Sequence, residues 1–315
     1  MNDSRSWRLY FVDILNHLGK FFLIAFVLVH GVISGEIACS TQLPRYLDIS
    51  KPPQEAVSAV HRKDVFPLHV KSAILYDMTN SVVLYEQEAD KRIAPASLTK
   101  LLTLYLVYEA VKDGEVSPEE ELRISAKADR TGGSSMDVRT GNTVSLLEVV
   151  KGIAIASAND GCVVVAENLG HGDTSEFVKL MNDKAQALGM TQSHFANPNG
   201  LPNKRQYTTA RDMLVLASAY LSHFPRSLAL HSQPVYMRDS VVKKNSNKLI
   251  GTCDGVDGLK TGFVASSGFN IVATAERHGR RLVAVVMGAH SAAIRARETR
   301  ALLEAGFADN GKDSQ

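Results

Sequence analysis

The sequence predicts an α+β fold, in which strands from both ends of the folded region form one antiparallel sheet packed with a helical subdomain. Short apolar runs rich in β-branched residues occur near residue 72 and again after residue 255. Amphipathic helical patterns fill the interval between them. Strands that flank a block of helices are typical of segregated α and β elements, not of alternating βαβ units.

Composition excludes several classes of function. The 315 residues are 45% hydrophobic and 22% charged, which is ordinary for a globular protein, and the net charge is only +2. No basic stripe alternates with aromatic residues, so no nucleic-acid partner is predicted. The sequence has no His-Glu-x-x-His and no Cys-x-x-Cys motif, so we predict neither a metal site nor a cofactor.

Residues 1–40 have the layout of a secretory signal peptide. Arg5, Arg8 and Lys20 precede the apolar run "FFLIAFVLVHGVIS", and small residues follow around "GEIACS". The run is shorter than the roughly 20 residues that span a bilayer comfortably. An uncleaved N-terminal anchor, or lipid modification of Cys39, are the alternatives. Each predicts that the mature chain lies outside the cytoplasm, in the periplasm or at the cell surface, with possible membrane attachment through the N-terminus.

Residues 41–66 are predicted to be a linker. The stretch "PRYLDISKPPQEAVSAVHRKDVFP" carries four prolines and shows no sustained period, which favours an extended chain. Patterning begins after it. "KSAILYDMTNSVVLYEQE" predicts two short strands around a turn at Thr79 and Asn80.

Helical patterns follow the first two strands. A long apolar helix is predicted to begin at Ser97 and to end near Gly114. The next helix, "SLLEVVKGIAIA", opens with a capping box formed by Ser145 and Glu148. Two more segments, "SEFVKLMNDKAQAL" and "TARDMLVLASAYL", have the periodicity of amphipathic helices.

The C-terminal part returns to strands. "GLKTGF", "GFNIVATAE" and "RLVAVVMGA" are predicted strands, the last two joined by a turn at His278 and Gly279, and a closing helix is predicted over 291–305.

Two cysteines lie in the folded region. Cys162 and Cys253 could pair outside the cytoplasm, but the apolar run "CVVVAENL" favours a buried thiol at Cys162.

The stretch "PASLTK" at 95–100 suggests a chemical function. Residues three apart share a helical face, so Lys100 is expected beside Ser97, and Pro95 suits a helix start. Burial in an apolar wall lowers the pKa of a lysine, and a neutral lysine can take a proton from serine. The competing interpretation is a capping serine with a solvated lysine, because Ser-x-x-Lys also arises by chance.

Two further motifs decide between these interpretations. "SAND" at 157–160 is predicted to end an apolar helix, and "DGLKTG" at 257–262 to open a strand. In the order Ser-x-x-Lys, Ser-x-Asn, Lys-Thr-Gly they form the motif set of penicillin-recognising serine enzymes. With "HFANPNGLP" and "YTTARDM", the chain resembles the D-alanyl-D-alanine carboxypeptidases, low-molecular-weight penicillin-binding proteins of the bacterial periplasm or cell surface. The resemblance implies a penicillin-binding/β-lactamase-like transpeptidase fold, with a DD-peptidase domain over 67–309.

The resemblance implies catalytic roles for three residues. Ser97 would attack the carbonyl of the penultimate D-alanine and become an acyl-ester, while Lys100 takes its proton. Ser157 would relay a proton towards the leaving amine. The side-chain amide of Asn159 would hold both Lys100 and the substrate backbone.

The Lys-Thr-Gly segment is the implied substrate-binding strand. Lys260 and Thr261 would bind the terminal carboxylate, and the Lys260 charge would help Lys100 to stay neutral. Gly262 would let the substrate lie against the strand. The amides of Ser97 and Phe263 would form the oxyanion hole, each worth about 3 kcal/mol.

The chain departs from the family pattern in two respects. Phe263 and Val264 follow Lys-Thr-Gly, where polar residues are frequent in relatives, so substrate preference at the cleft edge is open. The chain ends soon after the closing helix and resembles the short members described as D-alanyl-D-alanine endopeptidases, which cut cross-links. The implied partners are peptidoglycan peptides, with β-lactam antibiotics as covalent inhibitors.

Three other functions share these motifs or this fold. A class A β-lactamase needs a glutamate for the deacylating water, and residues 177–275 contain none. A transpeptidase differs in its acceptor, which motifs do not specify. An inactive cell-wall binding module is the third alternative, since a fold does not by itself imply a function.

Overall fold

A computed structural model of the chain describes residues 67–308. The predicted signal or anchor (1–40) and linker (41–66) lie outside the described residues, as does residue 309 at the predicted end of the domain. Within residues 67–308, no helix is both long and apolar enough to cross a bilayer.

Nine strands are present in this part of the chain. They are β1 (Ser72–Asp77), β2 (Val82–Gln87), β3 (Glu121–Arg123), β4 (Thr143–Ser145), β5 (Val235–Arg238), β6 (Val241–Lys244), β7 (Val256–Val264), β8 (Gly268–Arg277) and β9 (Arg280–Ala289).

The α-helices of the described residues lie mostly between β2 and β5. They are α1 (Lys100–Lys112), α2 (Ala126–Asp129), α3 (Leu146–Lys151), α4 (Asn159–Leu169), α5 (Thr174–Ala187), α6 (Ala210–His223), α7 (Leu228–His231) and α8 (Ala292–Ala308).

The predicted sheet from both chain ends is confirmed. Five antiparallel strands are ordered β2-β1-β9-β8-β7, so the first strand pairs directly with the last. The middles of β8 and β9 are buried, because α8 packs on one face of the sheet and α6 on the other. His278 and Gly279, both at positive φ, form the predicted turn between β8 and β9. β7 is the edge strand next to β8.

Two predicted helices are subdivided. The helix expected from Ser97 begins as a 3₁₀ turn, Ala96–Thr99, and becomes α-helical only at Lys100. The helix opened by Ser145 is α-helical to Lys151 and continues as a π-helical turn over Gly152–Ala156. Such widened turns are frequent at functional sites.

The predicted capping box forms only in part. Ser145 Oγ accepts a hydrogen bond from the Glu148 amide at 3.4 Å. The Glu148 carboxylate bonds to Lys151 Nζ at 2.5 Å. The prediction that "SAND" ends a helix holds only for Ser157, which closes the π turn at φ 60°, because Asn159 begins α4.

The two cysteines of the described region are not paired. Cys162 and Cys253 are both buried and free. Burial raises the pKa of the Cys162 thiol to about 12, so this group is protonated at neutral pH. The interpretation of Cys162 as a buried thiol is confirmed.

Candidate active site

Ser97 lies in a tightly constrained turn. The residue before it, Ala96, has a positive φ of 50°, which non-glycine residues rarely adopt. Gly200 packs directly against this turn, and a Cβ at Gly200 would lie 1.9 Å from the Ala96 carbonyl oxygen. The backbone that carries Ser97 is therefore fixed from outside by a loop about a hundred residues later in the chain.

Lys100 is fully buried, and its Nζ lies 2.9 Å from Ser97 Oγ. Two further acceptors surround the same nitrogen: Asn159 Oδ1 at 2.7 Å and the Asn199 carbonyl at 2.5 Å. Burial lowers the pKa of Lys100 to about 8, with the nearby Cys162 and Asp160 opposing the shift. When Lys100 is neutral, two N–H groups satisfy the two fixed acceptors and the lone pair faces Ser97 Oγ.

Asn159 joins Lys100 to the loop over the site. Its Oδ1 accepts from Lys100, and its Nδ2 donates to the Gly132 carbonyl at 2.7 Å. The next residue, Asp160, is buried and fastens the same loop, accepting from Ser135 Oγ at 2.7 Å and from the Met136 amide at 3.0 Å. The start of α4 therefore positions both the base and the loop beside it.

Ser157 and Lys260 form the second half of the site. The π turn and the left-handed conformation of Ser157 bring its Oγ to 2.9 Å from Lys260 Nζ. Lys260 is 2% exposed. Burial holds its pKa well below the usual range, and the charge of Lys100 lowers the pKa further. Two ammonium groups in one buried site repel each other, so the charged form of one lysine favours the neutral form of the other. An anion bound at one lysine stabilises its charged form and thereby favours a neutral partner.

Lys260 lies in the middle of β7, not at the start of the strand as predicted. Strand β7 reaches back to Val256 because its first half pairs with the buried part of β8. The Thr261 hydroxyl hydrogen-bonds with Ser246 Oγ. A Cβ at Gly262 would lie 2.9 Å from the Ser97 amide nitrogen and 3.1 Å from the Pro95 carbonyl oxygen. Glycine is thus required for β7 to approach the turn that carries Ser97, a role beyond the predicted space for substrate.

Phe263 is the first exposed residue of β7 after the Lys-Thr-Gly segment. Its side chain is 54% exposed, although it contacts Phe269 of β8 with ring centroids 4.3 Å apart and the ring planes tilted by 32°. The close packing of Gly262 on the Ser97 backbone brings Phe263 near Ser97 in the fold. That the amides of these two residues form an oxyanion hole stays a prediction.

Arg295 is a site residue that sequence reasoning missed. It lies on α8 and is 6% exposed, and its Nη2 donates to the Ser246 carbonyl at 3.3 Å. Its Nε is buried without a hydrogen-bond partner, and no described carboxylate pairs with it. Burial lowers its pKa to about 10, so the guanidinium is charged at neutral pH. Since Ser246 also bonds to Thr261, an unneutralised cation lies behind the Lys-Thr-Gly strand.

The structure brings all eight predicted residues into one constellation. Hydrogen bonds join Lys100 to Ser97 and Asn159. A second hydrogen bond joins Ser157 to Lys260, whose pKa is lowered by burial and by the charge of Lys100. Thr261, Gly262 and Phe263 follow Lys260 on the edge strand β7. Among the described residues, no group of three His, Cys, Asp or Glu side chains could hold a metal. The arrangement can deprotonate a serine hydroxyl at Lys100 and hold an anion near Lys260, Thr261 and Arg295.

Comparisons with known proteins place this constellation in a family. The sequence profile of the D-alanyl-D-alanine carboxypeptidases matches residues 57–291. The chain is 36% identical over 241 residues to D-alanyl-D-alanine carboxypeptidase DacF of Bacillus subtilis, covering 75% of this chain and 62% of the relative. The chain thus spans about three fifths of the length of the first curated relatives it matches.

Two solved structures share the fold. The D-alanyl-D-alanine carboxypeptidase DacD of Francisella tularensis matches with a TM-score of 0.74 and 32% identity, covering 77% of this chain and 71% of that protein. Penicillin-binding protein D2 of Listeria monocytogenes, in its ampicillin-bound form, matches with a TM-score of 0.71 and 34% identity. This match covers 77% of this chain and 99% of that protein. The predicted penicillin-binding fold is confirmed.

Proposed function

Because the chain belongs to the D-alanyl-D-alanine carboxypeptidase family, we propose that it is a serine-type D-alanyl-D-alanine carboxypeptidase that acts on peptidoglycan stem peptides. The observation that carries this proposal is the surroundings of Lys100 Nζ. The nitrogen is buried, has two fixed acceptors, and lies 2.9 Å from Ser97 Oγ. A lysine held in this way is a base rather than a surface charge.

Acylation begins at Ser97. Lys100 Nζ takes the hydroxyl proton as Ser97 Oγ forms a bond to the carbonyl carbon of the penultimate D-alanine. The negative charge that develops on the carbonyl oxygen is stabilised by the amides of Ser97 and Phe263. The carbon–nitrogen bond then breaks, and the acyl group remains as an ester on Ser97.

The leaving amine receives its proton from Ser157. A charged Lys260 can only donate to Ser157 Oγ, so the hydroxyl proton of Ser157 is directed into the cleft. Lys260 returns one proton to Ser157, and the proton that Lys100 took from Ser97 replaces it on Lys260, so Lys100 is neutral again. Water then attacks the ester and gives a proton to Lys100, which passes it to Ser97 Oγ as the ester bond breaks.

The terminal carboxylate binds to the second half of the site. Lys260 and Thr261 contact it, and Arg295 behind Ser246 adds a positive charge with no acid to neutralise it. A carboxylate bound at this position stabilises the charged form of Lys260 and so raises its pKa. The charge on Lys260 then disfavours a second charge on Lys100, which stays neutral. Substrate binding thereby generates the base that the reaction needs.

Cleavage of cross-links is a second candidate activity. Phe263 and Phe269 present an exposed aromatic surface one residue beyond the Lys-Thr-Gly segment. A free D-alanine is too small to cover it, whereas a second peptide joined at the scissile bond offers more apolar surface. This surface favours endopeptidase activity in addition to carboxypeptidase activity.

β-Lactam antibiotics would acylate Ser97 through the same steps, as expected of a chain related to a protein solved with ampicillin bound. The substrate lies in the cell wall, so the proposed place of action is the periplasm or the cell surface. Residues 1–40 would supply the export signal or an N-terminal membrane anchor.

Covalent labelling tests the proposal. A fluorescent penicillin should label the wild-type protein and remain bound for minutes, and Ser97→Ala should abolish the adduct without lowering the melting temperature. In parallel, D-alanine release from a pentapeptide should disappear in the same variant. A Ser97→Ala protein that still forms an adduct of unchanged mass refutes the nucleophile, and rapid turnover of the label would indicate a β-lactamase.

A further inference from the structure

A basic groove adjoins the candidate active site. It has a volume of about 840 Å³ and lies between α2, α5 and the loop over residues 194–205. Five basic side chains line it, and its lining contains no aspartate and no glutamate. These side chains are Lys127, Arg130, Lys179, His194 and Arg205.

Three cations of this groove, Arg130, Lys179 and Arg205, have no counter-charge among the described residues. Lys127 differs, because the pKa of the Asp173 carboxyl is lowered by hydrogen bonds from Ser175 and also by the nearby charge of Lys127. Within residues 67–308, no ion pair involves Lys127, Arg130, Lys179 or the Arg205 guanidinium. Lys127 Nζ donates to the neutral Thr174 Oγ1 at 2.6 Å. The nearby Asp173 lies outside the lining, and its carboxylate caps α5 by accepting from the Ser175 amide at 2.8 Å. Clustered like charges without counter-charge favour an anionic ligand.

The groove connects with the catalytic residues at one end. Two lining residues, Gly132 and Asn199, use their carbonyls to accept hydrogen bonds from Asn159 Nδ2 and Lys100 Nζ. One end of the groove is therefore formed by residues that hydrogen-bond directly to Lys100 and to Asn159. The carboxylate-binding residues Lys260, Thr261 and Arg295 are not among its lining residues, so the groove faces a different part of a bound substrate.

We propose that this groove binds the acyl-donor part of the substrate, an acidic peptide segment whose free carboxylates contact Arg130, Lys179 and Arg205. The inference rests on the proposed function, because it requires a peptide acylated at Ser97. The groove then gives the enzyme a preference for acidic donor peptides over neutral ones of equal length.

The test compares two pentapeptides that both keep a free C-terminal carboxylate. One has free internal carboxylates, and in the other these groups are amidated. For wild type, kcat/KM should be higher on the acidic peptide, and added salt should reduce this advantage because exposed charges are screened. In the double variant Arg130→Gln/Lys179→Gln, the advantage should fall by about fivefold to thirtyfold, as expected for two exposed charge pairs.

Two controls separate this inference from the proposed function. Lys112→Gln removes an exposed charge outside the groove and should leave the acid preference unchanged. A small penicillin lacks the internal peptide carboxylates that Arg130 and Lys179 are proposed to contact, so we expect it to acylate wild type and the double variant at the same rate. Equal kcat/KM of wild type on both peptides, with penicillin labelling intact, would overturn the groove assignment alone. Loss of penicillin labelling in the wild type would instead refute the proposed function.

Discussion

Replacing Gly262 with alanine tests whether the approach of β7 to the Ser97 turn sets the rate of acylation. The new Cβ would lie 2.9 Å from the Ser97 nitrogen and 3.1 Å from the Pro95 carbonyl oxygen, whereas ordinary contacts begin at 3.4 Å. Both neighbours are backbone atoms in a turn that Gly200 fixes from the other side. The strand must therefore move by about 0.5 Å to reach ordinary contact.

A displacement of about 1 Å between reacting groups can lower a reaction rate by about 100-fold. A displacement of half that size therefore corresponds to acylation that is about tenfold slower. This loss is equivalent to about 1.4 kcal/mol of activation free energy. The assay is the rate of covalent labelling by a fluorescent penicillin, measured together with the melting temperature.

The matched control is Gly306→Ala. Its Cβ would lie 2.7 Å from Leu75 Cδ2 and 2.8 Å from Leu282 Cδ1, which is an equally close contact but in the core under α8. This control should lower the melting temperature and leave the labelling rate of the folded protein near that of wild type. If Gly262→Ala labels as fast as wild type, the argument that strand position limits acylation is wrong.

Three further predictions concern the two lysines. Lys100→Arg should reduce acylation by about 100-fold or more, nearly as much as Lys100→Ala, since arginine does not give up its proton; substantial residual labelling would show that only charge matters. With the Lys100 pKa lowered to about 8, the acylation rate should rise about tenfold per pH unit below pH 8 and level off above it, whereas a cationic role predicts a fall. Lys260→Ala should lower the cleavage rate by about 10- to 150-fold, with a larger loss on a pentapeptide than on a cross-linked dimer. The opposite order would show that Lys260 acts on the charge of the Ser97–Lys100 pair and not on recognition of the terminal carboxylate.

Residues identified by type and spacing could be predicted from the sequence. Ser97 and Lys100 are three apart, which places them on one face whether the turn is α or 3₁₀. The apolar segments "GFNIVATAE" and "RLVAVVMGA" predict strands, and they form β8 and β9. The family resemblance drawn from three motifs is confirmed by the comparisons.

Contacts made by the backbone could not be predicted in this way. The Asn199 carbonyl contacts Lys100, and any residue type offers a carbonyl. Arg295 is one of several arginines in "AAIRARETRALL", and only the packing of α8 determines which of them is buried. Ser157 adopts a left-handed conformation directly after a π turn, and no residue pattern specifies either feature.

The pairing of β1 with β9 has a consequence for when activity first appears. Ser97 follows the second strand, whereas Lys260 is on β7 and Arg295 is on the last helix, so contacts between distant parts of the chain build the site. Until β9 has been synthesised, the hairpin of β1 and β2 lacks its central neighbour, and an isolated two-stranded hairpin is marginally stable. Folds of this kind form slowly and late, since distant segments must meet first. We therefore expect a chain still being made or exported to be inert towards peptides and penicillins, and to become active only when its C-terminal strands are in place.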